Sequence, residues 1–213
     1  GDPLHHWAID HNPHLAAMIE SIDDGVGMIV KKLEELGIRE DTVIIFTSDN
    51  GGEHNVTSNA PLRGAKSQLY EGGIREPMII SWAGTLPEDK TSDAVVNILD
   101  FYPTVLDLTQ VEPDPAQQLD GVSFVPVLRN PALTLERDTH YWHYPLEKKH
   151  FLEGRSAGAI RKGDWKLIEF FDTGELELYN LKDDIGESQN LAESQPERAA
   201  SLLAMLREWQ LAK

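Results

Sequence analysis

Four apolar residues in a row, Val43-Ile44-Ile45-Phe46, stop almost at once at Ser48-Asp49-Asn50 and two glycines, and this stretch constrains the chain more than any other. A strand without polar alternation is one buried on both faces, as in a parallel sheet covered by helices. Upstream, Leu15, Met18, Ile19, Ile22, Val26, Ile29, Val30, Leu33 and Leu36 recur at helical spacing, which predicts an amphipathic helix closed by Gly37. Helix, short loop, buried strand is the order of a doubly wound α/β domain. Pro77 introduces a second such strand, "MIISW", and "AVVNIL" reads as a third. Asp100 then caps a short helix, "FYPTVLDL", in which Pro103 falls in the first turn, where a missing N–H costs nothing.

Beyond about residue 130 the pattern changes. "HYWHY", "AGAIRK", "WKLIEFF" and "ELELYNL" are short strands broken by the turn signals Lys162-Gly163-Asp164 and Asp172-Thr173-Gly174. A helix starting near Pro196 carries Ala199, Leu202, Leu203, Leu206 and Trp209 on one face. The expected organisation is an α/β domain over 1–130 and a small antiparallel sheet packed by one helix over 131–213. A formal charge of −17 argues against nucleic acid and anionic membranes as partners. No run approaches the ~20 apolar residues of a membrane span. The absence of cysteine excludes disulfides, thiolate metal ligands and a thiol nucleophile within this chain.

In open α/β sheets functional side chains project from the carboxyl ends of strands, which is where Asp49 and Asn50 fall. A carboxylate beside an amide oxygen is hard-oxygen chemistry, suited to Ca²⁺ or Mg²⁺ rather than zinc. The same four residues, Asp-Asn-Gly-Gly, also make an ordinary turn. "APLRGAKSQLYEGGIREP" then places Arg63, Lys66 and Arg75 among glycines and prolines of an acidic protein. Lys66 can meet a tetrahedral oxyanion as a point charge, and Glu71 can anchor a basic neighbour or the backbone.

"TVIIFTSDNGG", "APLRGAKSQLYEGGIREP", "LDFYPTVLDL", "DGVSFVPVL", "YWHYP", "AIRKGDWKLIEFF" and "ELELYNLKDD", in that order, resemble the second half of an arylsulfatase-type sulfatase, as does the opening "NPHLAAMIESIDDGVG". The resemblance covers nearly the whole chain. It implies an alkaline-phosphatase-like fold, here partial, with a small C-terminal antiparallel sheet and a packed helix. It also implies hydrolysis of a sulfate ester by a formylglycine nucleophile, with Ca²⁺, in preference to Mg²⁺, holding the sulfate oxygens. By the same resemblance Asp49 and Asn50 match metal ligands and Lys66 matches the lysine that contacts sulfate. The implied substrate is a sulfated small molecule or carbohydrate, and the implied compartment is periplasmic or extracellular.

The chain departs from that pattern in two places. No Cys-or-Ser-x-Pro-x-Arg nucleophile motif occurs, and the first pair of metal-ligand aspartates is missing. Asp23-Asp24 is no substitute, because adjacent helical side chains point about 100° apart. The expectation is therefore a C-terminal half whose partner is the N-terminal half of the catalytic domain, inactive alone. Arg63, His54 and His143 are candidates for substrate contact; His54 suits a free loop position equally, and His143 suits aromatic packing. His5, His6, His11 and His14 read as surface residues, Glu76 as a departure from an apolar position, and Asn55-Val56-Thr57 as a weak glycosylation sequon. Two other functions fit: a two-zinc phosphodiesterase or phosphatase of the same superfold, and a non-catalytic remnant that binds sulfated glycans.

Overall fold

The computed structural model describes residues 12–212. In chain order the elements are α1 (Pro13–Glu35), β1 (Ile44–Thr47), α2 (Glu71–Ile74), β2 (Met78–Ser81), a 3₁₀ turn (Ile98–Asp100), α3 (Phe101–Thr109), α4 (Val125–Arg129), β3 (Thr139–Tyr144), β4 (Ala157–Lys162), β5 (Trp165–Phe170), β6 (Leu176–Asn180) and α5 (Pro196–Ala212). The chain divides into two compact units. One comprises the described residues up to Glu35 with Ile45–Ile80 and Thr139 onward; the other comprises Leu36–Ile44 and Ser81–Asp138.

In the first unit, β3-β4-β5-β6 form an antiparallel sheet in which Ala159 pairs with Trp142 and Ile168, and Lys166 pairs with Arg161 and Tyr179. Side chains alternate across it, as the pleat requires. One face carries Ile160, Leu167 and Leu178, closed by Ala199, Leu202 and Leu206 of α5, with Tyr141 stacked on Trp209 at 4.9 Å. Full burial of each Leu or Ile contributes about 1.5–3 kcal/mol. The other face carries Ala159, Ile168, Phe170 and Tyr179, and receives Leu69, Tyr70 and Ile185. The expected four strands and their helix are all present.

The same unit holds α1 and most of the β1–β2 pair. Asn12 caps α1, its Oδ1 accepting from the His14 and Leu15 amides at 3.0 and 3.2 Å. The helix matches the predicted periodicity, yet none of its residues is buried, and Met18, Ile19, Ile22, Met28 and Ile29 are exposed. β1 and β2 pair only with each other among the described residues. The expectation of a strand buried on both faces is therefore not met: Phe46 and Ile79 are exposed.

In the second unit, "AVVNIL" is not a strand. Asn97 starts a helical turn instead: its side chain accepts the Leu99 amide, and Asp100 reaches back to the Asn97 amide at 2.8 Å. The cap thus lies one turn ahead of the expected Asp100. Asp100 is fully buried and ties the unit together, accepting from the Val122 amide at 2.9 Å and from both Arg137 terminal nitrogens at 2.6 and 2.5 Å. Phe124, Val125 and Val127 complete this small core, with the Phe101 ring 6.0 Å from Phe124. No helix among the described residues is long and apolar enough to cross a membrane.

Candidate functional site

The end of β1 is shaped by short polar bonds. Thr47 Oγ1 donates to the Pro77 carbonyl at 3.1 Å, and Ser48 Oγ donates to the Asn50 carbonyl at 2.9 Å. This curl leaves Asp49 exposed and Asn50 half-buried. Gly51 then runs against α2: its amide donates to Gly73 O at 3.1 Å, and a Cβ on Gly51 would stand 1.8 Å from Gly72 O. Only glycine permits that approach.

The Lys66 loop is fastened to the same segment. The Lys66 amide donates to Gly52 O at 3.2 Å. Asn59 clamps both sides, its Oδ1 accepting from the Gly52 amide at 3.1 Å and its Nδ2 donating to Gly52 O at 2.8 Å and Gly64 O at 3.2 Å. At the far end of the loop the Gly72 amide donates to Arg63 O at 2.7 Å. The pair Asp49-Asn50 and the residue Lys66 are thus carried by two segments joined backbone to backbone. Lys66 is exposed and makes no ion pair among the described residues.

Glu76 lies beside this strand end. Its Oε1 is buried without a hydrogen-bond partner among the described residues; burial first, then the neighbouring Asp49 charge, pushes its carboxyl above the ordinary range. Two hard-oxygen donors with a further carboxylate nearby suit part of the shell of a hard cation, which takes about six to eight oxygens. No group of three or more His, Asp or Glu side chains among the described residues is placed to hold a metal by itself.

The other candidates separate. Arg63 stays partly exposed but reaches the sheet: its guanidinium donates to Tyr179 Oη at 2.7 Å and Glu187 O at 2.9 Å and lies over the Tyr70 ring at 4.0 Å. Tyr179 in turn donates to Glu177 at 2.7 Å. Burial, and after it the Glu177 carboxylate, raises both the Tyr70 and Tyr179 hydroxyls well above their usual range. Arg63 therefore anchors the loop to the sheet. His54 is half-buried with Nδ1 lacking a hydrogen bond among the described residues. His143 follows Tyr141 by two positions and so lies on the α5 face, 3.5 Å from Gln210 and against Phe171, whereas the loop packs on the opposite face. It does not join the Lys66 loop. His14 is exposed in the first turn of α1, and His5, His6 and His11 lie outside the described residues.

A cavity of about 310 Å³ opens beside the loop, lined by Arg63, Gln68, Tyr70, Lys149, Arg155 and Phe170 among others. Its arginines are already matched: Arg155 pairs with Asp172 at 2.9 Å and Glu175 at 3.1 Å. Sequence reasoning missed Asn59, Lys166 and Glu187. A lysine at an inward position of "WKLIEF" was the one visible signal, since a charge there must find a partner. Glu71, expected to anchor a basic neighbour, meets Lys166 at 2.9 Å.

The sulfatase family model matches residues 8–111, and that of the N-sulphoglucosamine sulphohydrolase C-terminal region matches residues 65–211. The chain belongs to the sulfatase family. A sulfatase of Formosa agariphila is 34% identical over 98% of this chain, which spans 40% of that protein. Among solved structures, one in complex with its substrate D-glucosamine-2-N,6-O-disulfate superimposes with a TM-score of 0.76 at 31% identity, covering 90% of this chain and 38% of its own. Ps i-CgsB in complex with k-i-k-neocarrahexaose gives 0.77 at 30%, covering 91% and 42%. The sulfatase chain therefore has the α/β architecture of the alkaline-phosphatase-like superfamily and spans about two fifths of the relatives it matches.

Proposed function

We propose that the sulfatase chain supplies part of the active site of a sulfuric ester hydrolase of the arylsulfatase type, acting on a sulfated carbohydrate. The observation that carries this reading is the direct fastening of the Lys66 amide to Gly52 O at 3.2 Å, two residues beyond the Asp49-Asn50 pair. It brings an exposed ammonium and two hard-oxygen donors onto joined segments. Asp49 and Asn50 are the residues to hold a Ca²⁺ ion, which when bound supplies electrostatic stabilisation of sulfate oxygens. Lys66 presents up to three N–H donors to the same oxyanion and holds its charge where negative charge grows. The nucleophile, a formylglycine, lies outside this chain. The substrate class is supported by the matching relative crystallised with D-glucosamine-2-N,6-O-disulfate. A periplasmic or extracellular site of action accompanies this reading.

The test is reconstitution of the chain with a segment bearing a maturable Cys-or-Ser-x-Pro-x-Arg nucleophile, followed by sulfate release from a sulfated glucosamine. Calcium-dependent release is expected, falling on the order of 10²–10³-fold in Lys66→Ala, with comparable loss in Asp49→Ala. Undiminished release in either variant overturns the residue assignments. Two zinc ions in the active preparation, instead of one calcium, would move it to the phosphodiesterase class.

A further inference from the structure

Glu71 of the Lys66 loop meets two buried side chains from a distant part of the chain, Lys166 and Glu187. Glu71 opens α2, Lys166 lies in β5, and Glu187 follows β6; each is at most 2% exposed. Lys166 Nζ stands 2.9 Å from Glu71 Oε1 and 2.8 Å from Glu187 Oε1, the second contact being close but poorly aligned for a hydrogen bond. Glu187 Oε2 also accepts the backbone amide of Glu71 at 2.6 Å. Arg75 and Arg161 stand 3.6 and 3.8 Å from the remaining Glu71 oxygen.

Such a cluster is poorly explained by stability alone, because desolvating ions costs as much as their attraction returns and apolar side chains of similar volume do as well. What it does provide is one geometry. Glu71 is held through both its side chain and its amide, and the residues that follow it, Gly72 and Gly73, are the ones against which Gly51 packs. Gly52, one residue further, accepts the Lys66 amide. A shift of Glu71 displaces both segments of the site together.

We propose that Lys166, Glu71 and Glu187 are positioning residues that set Lys66 in register with Asp49 and Asn50 through the glycines of α2. The proposal rests on the reading of those three residues as the oxyanion and metal site. None of the positioning residues touches substrate; they act through the backbone.

The test is amide hydrogen exchange on the ¹⁵N-labelled chain, comparing Lys166→Met with Leu206→Ala, which opens the core on the α5 face of the same sheet. In Lys166→Met the Gly51 and Lys66 amides are expected to exchange at least tenfold faster, measured against the amides of β4 and β5. Leu206→Ala should leave that ratio unchanged. Glu187→Gln, nearly isosteric, should give a smaller change at the same two amides and serves if Lys166→Met does not fold. Equal behaviour of the charge variants and Leu206→Ala at Gly51 and Lys66 overturns the proposal. Calcium titration of the same proteins after reconstitution with the nucleophile-bearing segment separates the two readings: Asp49-dependent binding weakened several-fold in Lys166→Met supports both. Accelerated exchange without any Asp49-dependent calcium binding in the reconstituted parent sinks the metal reading and leaves the mechanical coupling standing.

Discussion

Replacing Asp100 by asparagine removes one charge and one acceptor atom while keeping the side-chain volume. Each Asp100 oxygen takes two donors: Oδ1 the Val122 amide and one Arg137 nitrogen, Oδ2 the Asn97 amide and the other Arg137 nitrogen. An asparagine keeps one oxygen and turns an NH₂ toward the other two donors. Two charge-assisted bonds are lost at about 1.5–3 kcal/mol each, and Arg137, itself mostly buried, loses its counter-ion. The two bonds sum to about 3–6 kcal/mol, which overlaps the range of about 3–5 kcal/mol for breaking a buried pair by removing one member; the narrower range is the expected loss. Against a total of about 5–15 kcal/mol that is a large share. In urea, with a slope near 2 kcal/mol/M, the midpoint should fall by roughly 1.5–2.5 M. Asp107→Asn is the control: Asp107 is exposed and its carboxylate accepts only the Ser123 hydroxyl among the described residues, so its cost should stay below about 1 kcal/mol. Equal midpoints for the two variants would refute the reasoning. The pH dependence offers a second check. Burial by itself favours the protonated acid, but the Arg137 fork and the Asn97 and Val122 amides outweigh it and hold the Asp100 carboxyl below its ordinary value. Its stabilisation is complete above the unfolded-state value of about 3.9 and is lost as pH falls through the lower folded-state value. The gap between parent and Asp100→Asn should therefore close on acidification below about pH 4.

Other outcomes follow from single contacts. Gly51→Ala would place a methyl 1.8 Å from Gly72 O; a loss of about 1–3 kcal/mol in thermal unfolding is expected, together with loss of any Asp49-dependent calcium binding. Leu206→Ala empties a fully buried position beneath α5 and should cost about 2–5 kcal/mol in urea unfolding. Lys66→Ala, by contrast, removes an exposed ammonium without an ion pair among the described residues, so its unfolding stability should match the parent within about 0.5 kcal/mol even where reconstituted sulfate release collapses.

The parts legible in the sequence are those in which local pattern and tertiary demand agree. Each C-terminal strand alternates, and "WKLIEF" shows its two faces directly: Leu167 toward α5, Ile168 toward the loop. "AVVNIL" misled because five apolar residues outweighed Asn97 and Asp100, three apart, which together form the cap box. The Val43–Phe46 run was read correctly as a strand, but one paired with β2 alone among the described residues and with Phe46 exposed, since an apolar run shows a strand's preference and not its neighbours. At the site, Asp49, Asn50 and Lys66 stood out through residue type and glycine context. Glu71, Lys166 and Glu187 did not converge on paper, since 95 residues separate the first two and 116 the first and last. For His143 two readings stood side by side, substrate contact and aromatic packing, and strand alternation sets it against Phe171 on the α5 face, in the aromatic setting.

The C-terminal sheet has two sides with different duties. Its α5 side is greasy and generic, and changes there alter how long the protein survives heat or denaturant. Its other side carries Arg161, Lys166 and Glu177 among apolar neighbours and holds a turn taken from elsewhere in the chain. Substitutions on the first surface are therefore read in an unfolding midpoint, whereas substitutions on the second are read in where that borrowed turn comes to rest.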